Sequence, residues 1–149
     1  MSSSYTRLYV HTVWSTKLRA RWITPAVAPR LNGFLSARCR AIDCVALAVG
    51  GVADHVHALV GFHSTVAVAT LARELKATSS LFLKHALGRP EFAWQRGFGA
   101  FTVRDIDVPI VTRYIIDQPA HHARGTVDPA WEDAPLVDDS LDGLPARDA

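Results

Sequence analysis

Cys44-Val45-Ala46-Leu47-Ala48-Val49-Gly50-Gly51-Val52-Ala53-Asp54-His55-Val56-His57-Ala58-Leu59-Val60 decides how the chain is read. Two apolar runs flank a glycine pair and a short polar stretch, the pattern of neighbouring strands joined by a tight turn. Strand side chains alternate faces, so His55 and His57 point one way and Val56 the other. A rise of about 3.3 Å per residue sets the two imidazoles about 6–7 Å apart along one face. At that spacing they can hold one metal ion. An isolated H-x-H is more often two unrelated, half-buried histidines. The balance turns on whether the chain supplies a third ligand and a reactive group.

Outward from this pair, residues 5–14 alternate well. Tyr5, Arg7, Tyr9, His11 and Val13 share one face, and β-branched and aromatic residues predict a strand. His11 could line a site, though a satisfied sheet histidine is the commoner case. Residues 15–24 are basic and irregular. Thr24 and Pro25 then suit the start of a helix over residues 26–40, with Val27, Leu31, Phe34, Leu35 and Cys39 on its apolar side. On the other flank, Ser64-Thr65 caps a predicted helix over residues 66–87. Val68, Leu71, Leu75, Leu81, Phe82 and Leu83 form its apolar positions, and Gly88-Arg89-Pro90 ends it. Residues 92–103, aromatic and glycine-rich, predict one or two short strands. Residues 108–118 predict a last helix, ended by Pro119, with Tyr114 and Gln118 four apart on one face. The order strand, helix, strand, strand, helix, strand, helix is the ferredoxin-like, split βαβ pattern. It predicts an α+β fold, an antiparallel sheet with helices packed on one face.

A chain of 149 residues with 49% hydrophobic residues makes one domain with a real core. No apolar run is long enough to span a membrane. The start, Met1-Ser2-Ser3-Ser4-Tyr5, lacks the basic and apolar blocks of a secretory signal. Cys39 and Cys44 read as reduced core thiols, and the expected location is the cytoplasm. The net charge of +2 is unevenly spread. Residues 1–124 hold 15 Lys and Arg against 7 Asp and Glu, a net +8; residues 125–149 hold one Arg and 7 acids, a net −6. The division falls there: a basic domain over 1–124 and an acidic, Pro-containing, extended or disordered tail over 125–149. A body at +8 suits a polyanion, and a merely solvated basic surface is the equal alternative.

The constellation resembles the single-tyrosine HUH transposases, which comprise the insertion-sequence-200-like enzymes and their relatives associated with repetitive extragenic palindromes. The stretches that carry the resemblance are Val10-His11-Thr12-Val13-Trp14-Ser15-Thr16-Lys17, Gly50-Gly51-Val52-Ala53-Asp54-His55-Val56-His57, Leu75-Lys76-Ala77-Thr78-Ser79-Ser80, Trp94-Gln95-Arg96-Gly97-Phe98-Gly99-Ala100-Phe101, and Tyr114-Ile115-Ile116-Asp117-Gln118 with His121-His122. They stand in the family's order. The resemblance implies that His55 and His57 are the histidine pair, Tyr114 the nucleophile and Gln118 the third metal ligand. It further implies a DNA strand transferase that works through a 5′-phosphotyrosine with no nucleotide cofactor. It also implies a homodimer in which the tyrosine helix can serve the partner's histidines, and single-stranded DNA with hairpin or palindromic repeats as substrate. A nucleoid-associated place in the cytoplasm follows. Two histidines alone would favour zinc; the resemblance moves the expectation to Mg²⁺, or Mn²⁺. Lys17, Arg19, Arg21, Lys76, Arg96 and Arg113 become candidates for phosphate contact, although each singly is more often a solvated charge. Two alternatives stay open. One is a domesticated, catalytically idle protein that only binds palindromic repeats; the other is a zinc hydrolase, which leaves Tyr114 and the basic charge unused.

Overall fold

The computed structural model describes residues 4–129, so most of the acidic tail lies outside the described residues. Strand β1 (Tyr9–Ser15) leads through a 3-10 turn at Lys17–Arg19 to helix α1 (Ala28–Ala41). Strands β2 (Val45–Val52) and β3 (His55–Gly61) follow, then helix α2 (Val68–Leu87) and strand β4 (Gly99–Val103). A second 3-10 turn precedes helices α3 (Val108–Ile116) and α4 (Gln118–Arg124). The four strands form one antiparallel sheet in the order β2-β3-β1-β4. This is the α+β, ferredoxin-like arrangement expected from the order of elements. The central strands are β3 and β1, the two that carry His55, His57 and His11.

Alternation along β3 separates two cores. Val56, Ala58 and Val60 face α1 and α2, where Leu31, Leu35, Leu71, Leu75 and Leu83 close the main core with Trp14, Phe92 and Trp94. Leu59, on the opposite face, packs with Ala48 against Val111 and Ile115 of α3. Helices on one face therefore describes α1 and α2. Helix α3 lies on the other face, the side to which the histidines point.

Several local expectations change. Strand β1 begins at Tyr9, where pairing with Gly61 and Val103 begins, and Tyr5 is exposed. Helix α1 starts two residues late, at Ala28, after a turn over residues 25–27 in which the Thr24 hydroxyl accepts the Val27 amide as the expected cap. The expected Ser64-Thr65 cap does not form. Ala67 precedes α2, while the Thr65 hydroxyl meets the His63 ring. Leu81 is exposed, and Ser79 takes the buried position, accepting a hydrogen bond from Trp94 Nε1 at 3.0 Å. The largest change is at the end. Helix α3 stops at Ile116, and Pro119 sits in the first turn of a new helix rather than after the last one. Proline is tolerated there because first-turn amides have no intrahelical partner.

Both cysteines are buried and reduced. Burial pushes the Cys39 thiol up to about 12, Cys44 adding to the shift and Arg40 opposing it. An unfolded thiol ionises near 8.5, so above that pH the folded state holds a proton that the unfolded state has lost. This contribution to stability is whole below about pH 8.5 and falls as pH rises toward 12, by at most about 1.4 kcal/mol per unit. Urea unfolding between pH 8 and pH 10.5 checks it: the loss of stability should be shallower in Cys39→Ala than in the wild type. Equal slopes would contradict it.

Candidate active site

The β1–β3 register brings three histidines together. Ser15 stands opposite His55, Val13 opposite His57 and His11 opposite Leu59, so all share the α3 face. His11 and His57 are fully buried and His55 nearly so. The ring centroids of His55 and His57 lie 5.1 Å apart, within the span that one ion can bridge. Each ring is held at Nδ1. His57 Nδ1 lies 2.8 Å from His11 Nε2, and His55 Nδ1 lies 2.7 Å from the Asp54 carboxylate. Fixing Nδ1 directs Nε2 to a ligand, the usual arrangement of metal-binding histidine. The donor set therefore fits a divalent ion. Among the described residues no three His, Cys, Asp or Glu side chains form a metal-holding group.

The glycine pair explains how the tyrosine helix comes close. A Cβ on Gly50 would overlap the carbonyl oxygen of Ile115, and one on Gly51 would overlap that of His55. Bare glycine at 50 lets the α3 backbone rest on β2. Tyr114 is thereby buried with its ring centroid 6.0 Å from that of His57. The two other tyrosines lie elsewhere: Tyr5 accepts a hydrogen bond from Arg7, and Tyr9 donates one to Asp105. Beyond the break at Asp117, Gln118 is fully buried at the start of α4, with its Oε1 3.0 Å from His122 Nε2. The His122 ring lies 4.8 Å from that of His55, so His122 connects Gln118 to the histidine pair. His121 stacks on Tyr114 at 4.7 Å. The Tyr114 hydroxyl accepts a hydrogen bond from the Asp128 amide at 2.9 Å.

The segments that carry Lys17, Arg19, Arg21 and Arg96 meet at the end of the sheet that carries His55. Thr16 donates its amide to Asp54 O, Lys17 to Ala93 O, and Ile23 to Ala53 O. These bonds bring the loop of Lys17, Arg19 and Arg21 and the 93–97 segment with Arg96 beside the start of β3. Lys17, Arg21 and Arg96 are exposed, and Arg113 is exposed next to Tyr114 on α3. Lys76 has a bracing role: its ammonium donates to the carbonyls of Gln95 (2.9 Å) and Gly97 (2.6 Å), tying α2 to that segment. The loop is bent through Leu18 and Arg19, both left-handed (φ of 58° and 56°), with Leu18 exposed.

Sequence reasoning placed the histidine pair on one face correctly. It gave no role to Asp54, His121 or His122, and it left His11 between a site-lining residue and the commoner case of a satisfied sheet histidine. The signal for His11 is the strand register, which brings positions 11 and 57 into diagonal reach.

Residues 4–118 match the family model described as "Transposase IS200 like". Among solved structures, a protein from Deinococcus radiodurans R1 described as a candidate transposase is 21% identical, with a TM-score of 0.66, covering 79% of this chain and 95% of its own. A REP-associated tyrosine transposase, solved bound to a REP hairpin, is 18% identical, with a TM-score of 0.57, covering 93% of this chain and 94% of its own. At these identities the likeness is one of fold. The comparison with curated proteins found no significant match.

Proposed function

Because the chain belongs to the IS200-like transposase family, we propose that it cleaves and rejoins single-stranded DNA through a tyrosine. Tyr114 is the nucleophile. Its phenolic oxygen bonds to a backbone phosphorus while the bond from phosphorus to the 3′-oxygen breaks. The phenol proton is lost, and the freed strand leaves with a 3′-hydroxyl. The 5′-phosphate stays on the protein as a phosphotyrosine, and a second 3′-hydroxyl reverses the step without a nucleotide cofactor. The observation that carries this reading is that, of three tyrosines, Tyr114 is the one beside the histidine pair.

His55 and His57, with Gln118 as third ligand, would hold a divalent ion, Mg²⁺ or Mn²⁺. Such an ion supplies Lewis-acid stabilisation of charge on the phosphate. A phenol with a pKa near 10 is a weak nucleophile at neutral pH, so that help matters. Asp54 and His11 orient the two imidazoles. Lys17, Arg19, Arg21, Arg96 and Arg113 meet phosphates along the strand, and Lys76 holds the 93–97 segment for them. The likeness to a transposase solved on a REP hairpin supports hairpin-bearing DNA as substrate. The enzyme works in the cytoplasm at the nucleoid, as a homodimer, with a basic catalytic domain over 1–124. No helix among the described residues is long and apolar enough to cross a membrane.

One observation favours the second reading, a binding protein without chemistry: the Tyr114 phenol is buried and its oxygen already accepts the Asp128 amide. The two separate cleanly. Incubation with labelled single-stranded hairpin DNA and Mg²⁺, followed by denaturation, should give a labelled protein band that chelator abolishes. Tight hairpin binding without such a band, with Mg²⁺ and with Mn²⁺, would favour the binding protein.

A further inference from the structure

We propose that His11 is a positioning residue that selects the tautomer of His57, so that His57 Nε2 carries the lone pair a metal ion needs. The proposal rests on the reading of His57 as a metal ligand.

The geometry is specific. His11 Nε2 and His57 Nδ1 lie 2.8 Å apart, with both side chains fully buried on adjacent central strands. The His11 ring is also flanked by Phe101 of β4, centroids 5.9 Å apart and edge to face. Between two neutral imidazoles at that distance, one nitrogen carries the hydrogen and the other accepts it. If His11 Nε2–H donates, His57 bears its own hydrogen on Nε2 and has no lone pair there. If His57 Nδ1–H donates, His57 Nε2 is a ligand and His11 is the Nδ1–H tautomer. A metal held at His57 Nε2 would select the second arrangement, and by linkage whatever makes His11 Nε2 the acceptor would favour metal binding.

The chemistry of the position points the same way. An apolar residue at 11 would pack against Leu59 and Phe101 without the cost of burying a polar ring. It would leave the buried Nδ1 of His57 without this bond. The pair is also uneven: a carboxylate holds His55 and an imidazole holds His57. The two rings are thus held by groups of different chemistry, the imidazole at His57 being able to donate or to accept.

Two variants and two readouts test this. His11→Gln keeps an acceptor near the place of Nε2; His11→Leu removes it. In metal-free protein at pH 8, nitrogen NMR of the histidine rings should show His57 as the Nδ1–H tautomer in the wild type and in His11→Gln. His11→Leu should show a mixture or the Nε2–H form, with circular dichroism unchanged. Mn²⁺ affinity, titrated by the free-ion paramagnetic signal, should fall about 10–100-fold in His11→Leu and recover most of that in His11→Gln. An Nε2–H tautomer at His57 in the wild type overturns the proposal. So does Mn²⁺ bound by the wild type, lost in His57→Ala and undiminished in His11→Leu, an outcome that leaves the metal reading standing. Absence of Mn²⁺ binding by the wild type overturns both. If His11→Leu does not fold, His11→Gln and the wild-type tautomer still decide.

Discussion

Tyr114→Phe should form no covalent DNA adduct while keeping the fold. The substitution removes one oxygen from a buried ring. The ring's stack on His121 and its edge contact with His57 need no hydroxyl, so they remain. What is lost is the acceptor for the Asp128 amide, worth about 1 kcal/mol. Loss of the nucleophile itself is of another order. Removing the attacking group from other enzymes costs on the order of 10⁴-fold or more, and here it should take the labelled protein band below detection. Hairpin binding should stay at the wild-type level, because a phenol contributes none of the basic charge. An adduct formed by Tyr114→Phe would place the nucleophile elsewhere, and Tyr9→Phe and Tyr5→Phe would then be the variants to make.

Gly50→Ala should damage the same activity from outside the site. The added methyl would overlap the carbonyl oxygen of Ile115, which is main chain and has no rotamer to escape into. Either β2 or α3 must move. Movement of α3 loosens Val111 and Ile115 from Ala48 and Leu59 and carries Tyr114 away from His57. Overpacking of this kind costs about 1–3 kcal/mol. Misplacing a reacting group by about 1 Å costs roughly 100-fold in rate. Thermal melting and adduct rate measure the two parts. Gly33→Ala is the contrast: nothing lies within 4 Å of its Cβ, and α1 gains about 0.5–1 kcal/mol of helix preference. A wild-type melting temperature and adduct rate in Gly50→Ala would show that the helix does not depend on this close approach.

The parts of the fold visible in the sequence are those with a local cause. Alternation in β3 sends His55 and His57 to one side whatever pairs with the strand. The spacing of Leu31, Leu35 and Cys39 makes one face of α1 apolar without reference to its partner. What stayed hidden depends on distant residues. Tyr5 and Arg7 continue the alternation of β1, yet the ladder begins at Tyr9, where β3 and β4 supply partners. Pro119 can end one helix or begin another, and only the packing of α4 against β2 decides. His11 looks like any sheet histidine until the register sets it diagonal to His57. The two cores face opposite sides of the sheet for a similar reason. Composition shows that α3 is apolar, but not which surface it covers.

The bond between the Asp128 amide and the Tyr114 oxygen comes from main chain, and this changes what sequence can do to it. Every residue except proline offers the same amide, so the bond itself does not depend on which side chain position 128 carries, whereas the Thr126 hydroxyl has its own bond to the His121 ring at 2.9 Å. Spacing is another matter. Gly125, left-handed at φ 67°, turns the chain back from α4, and three residues later an amide meets the phenol. Delete one residue between them and the group in register is Pro129, which has no N–H to give. Here the chain is read by its length rather than by its letters. A non-proline substitution at position 128 should therefore leave the bond in place, while a single-residue deletion is the change that disconnects this stretch from the tyrosine.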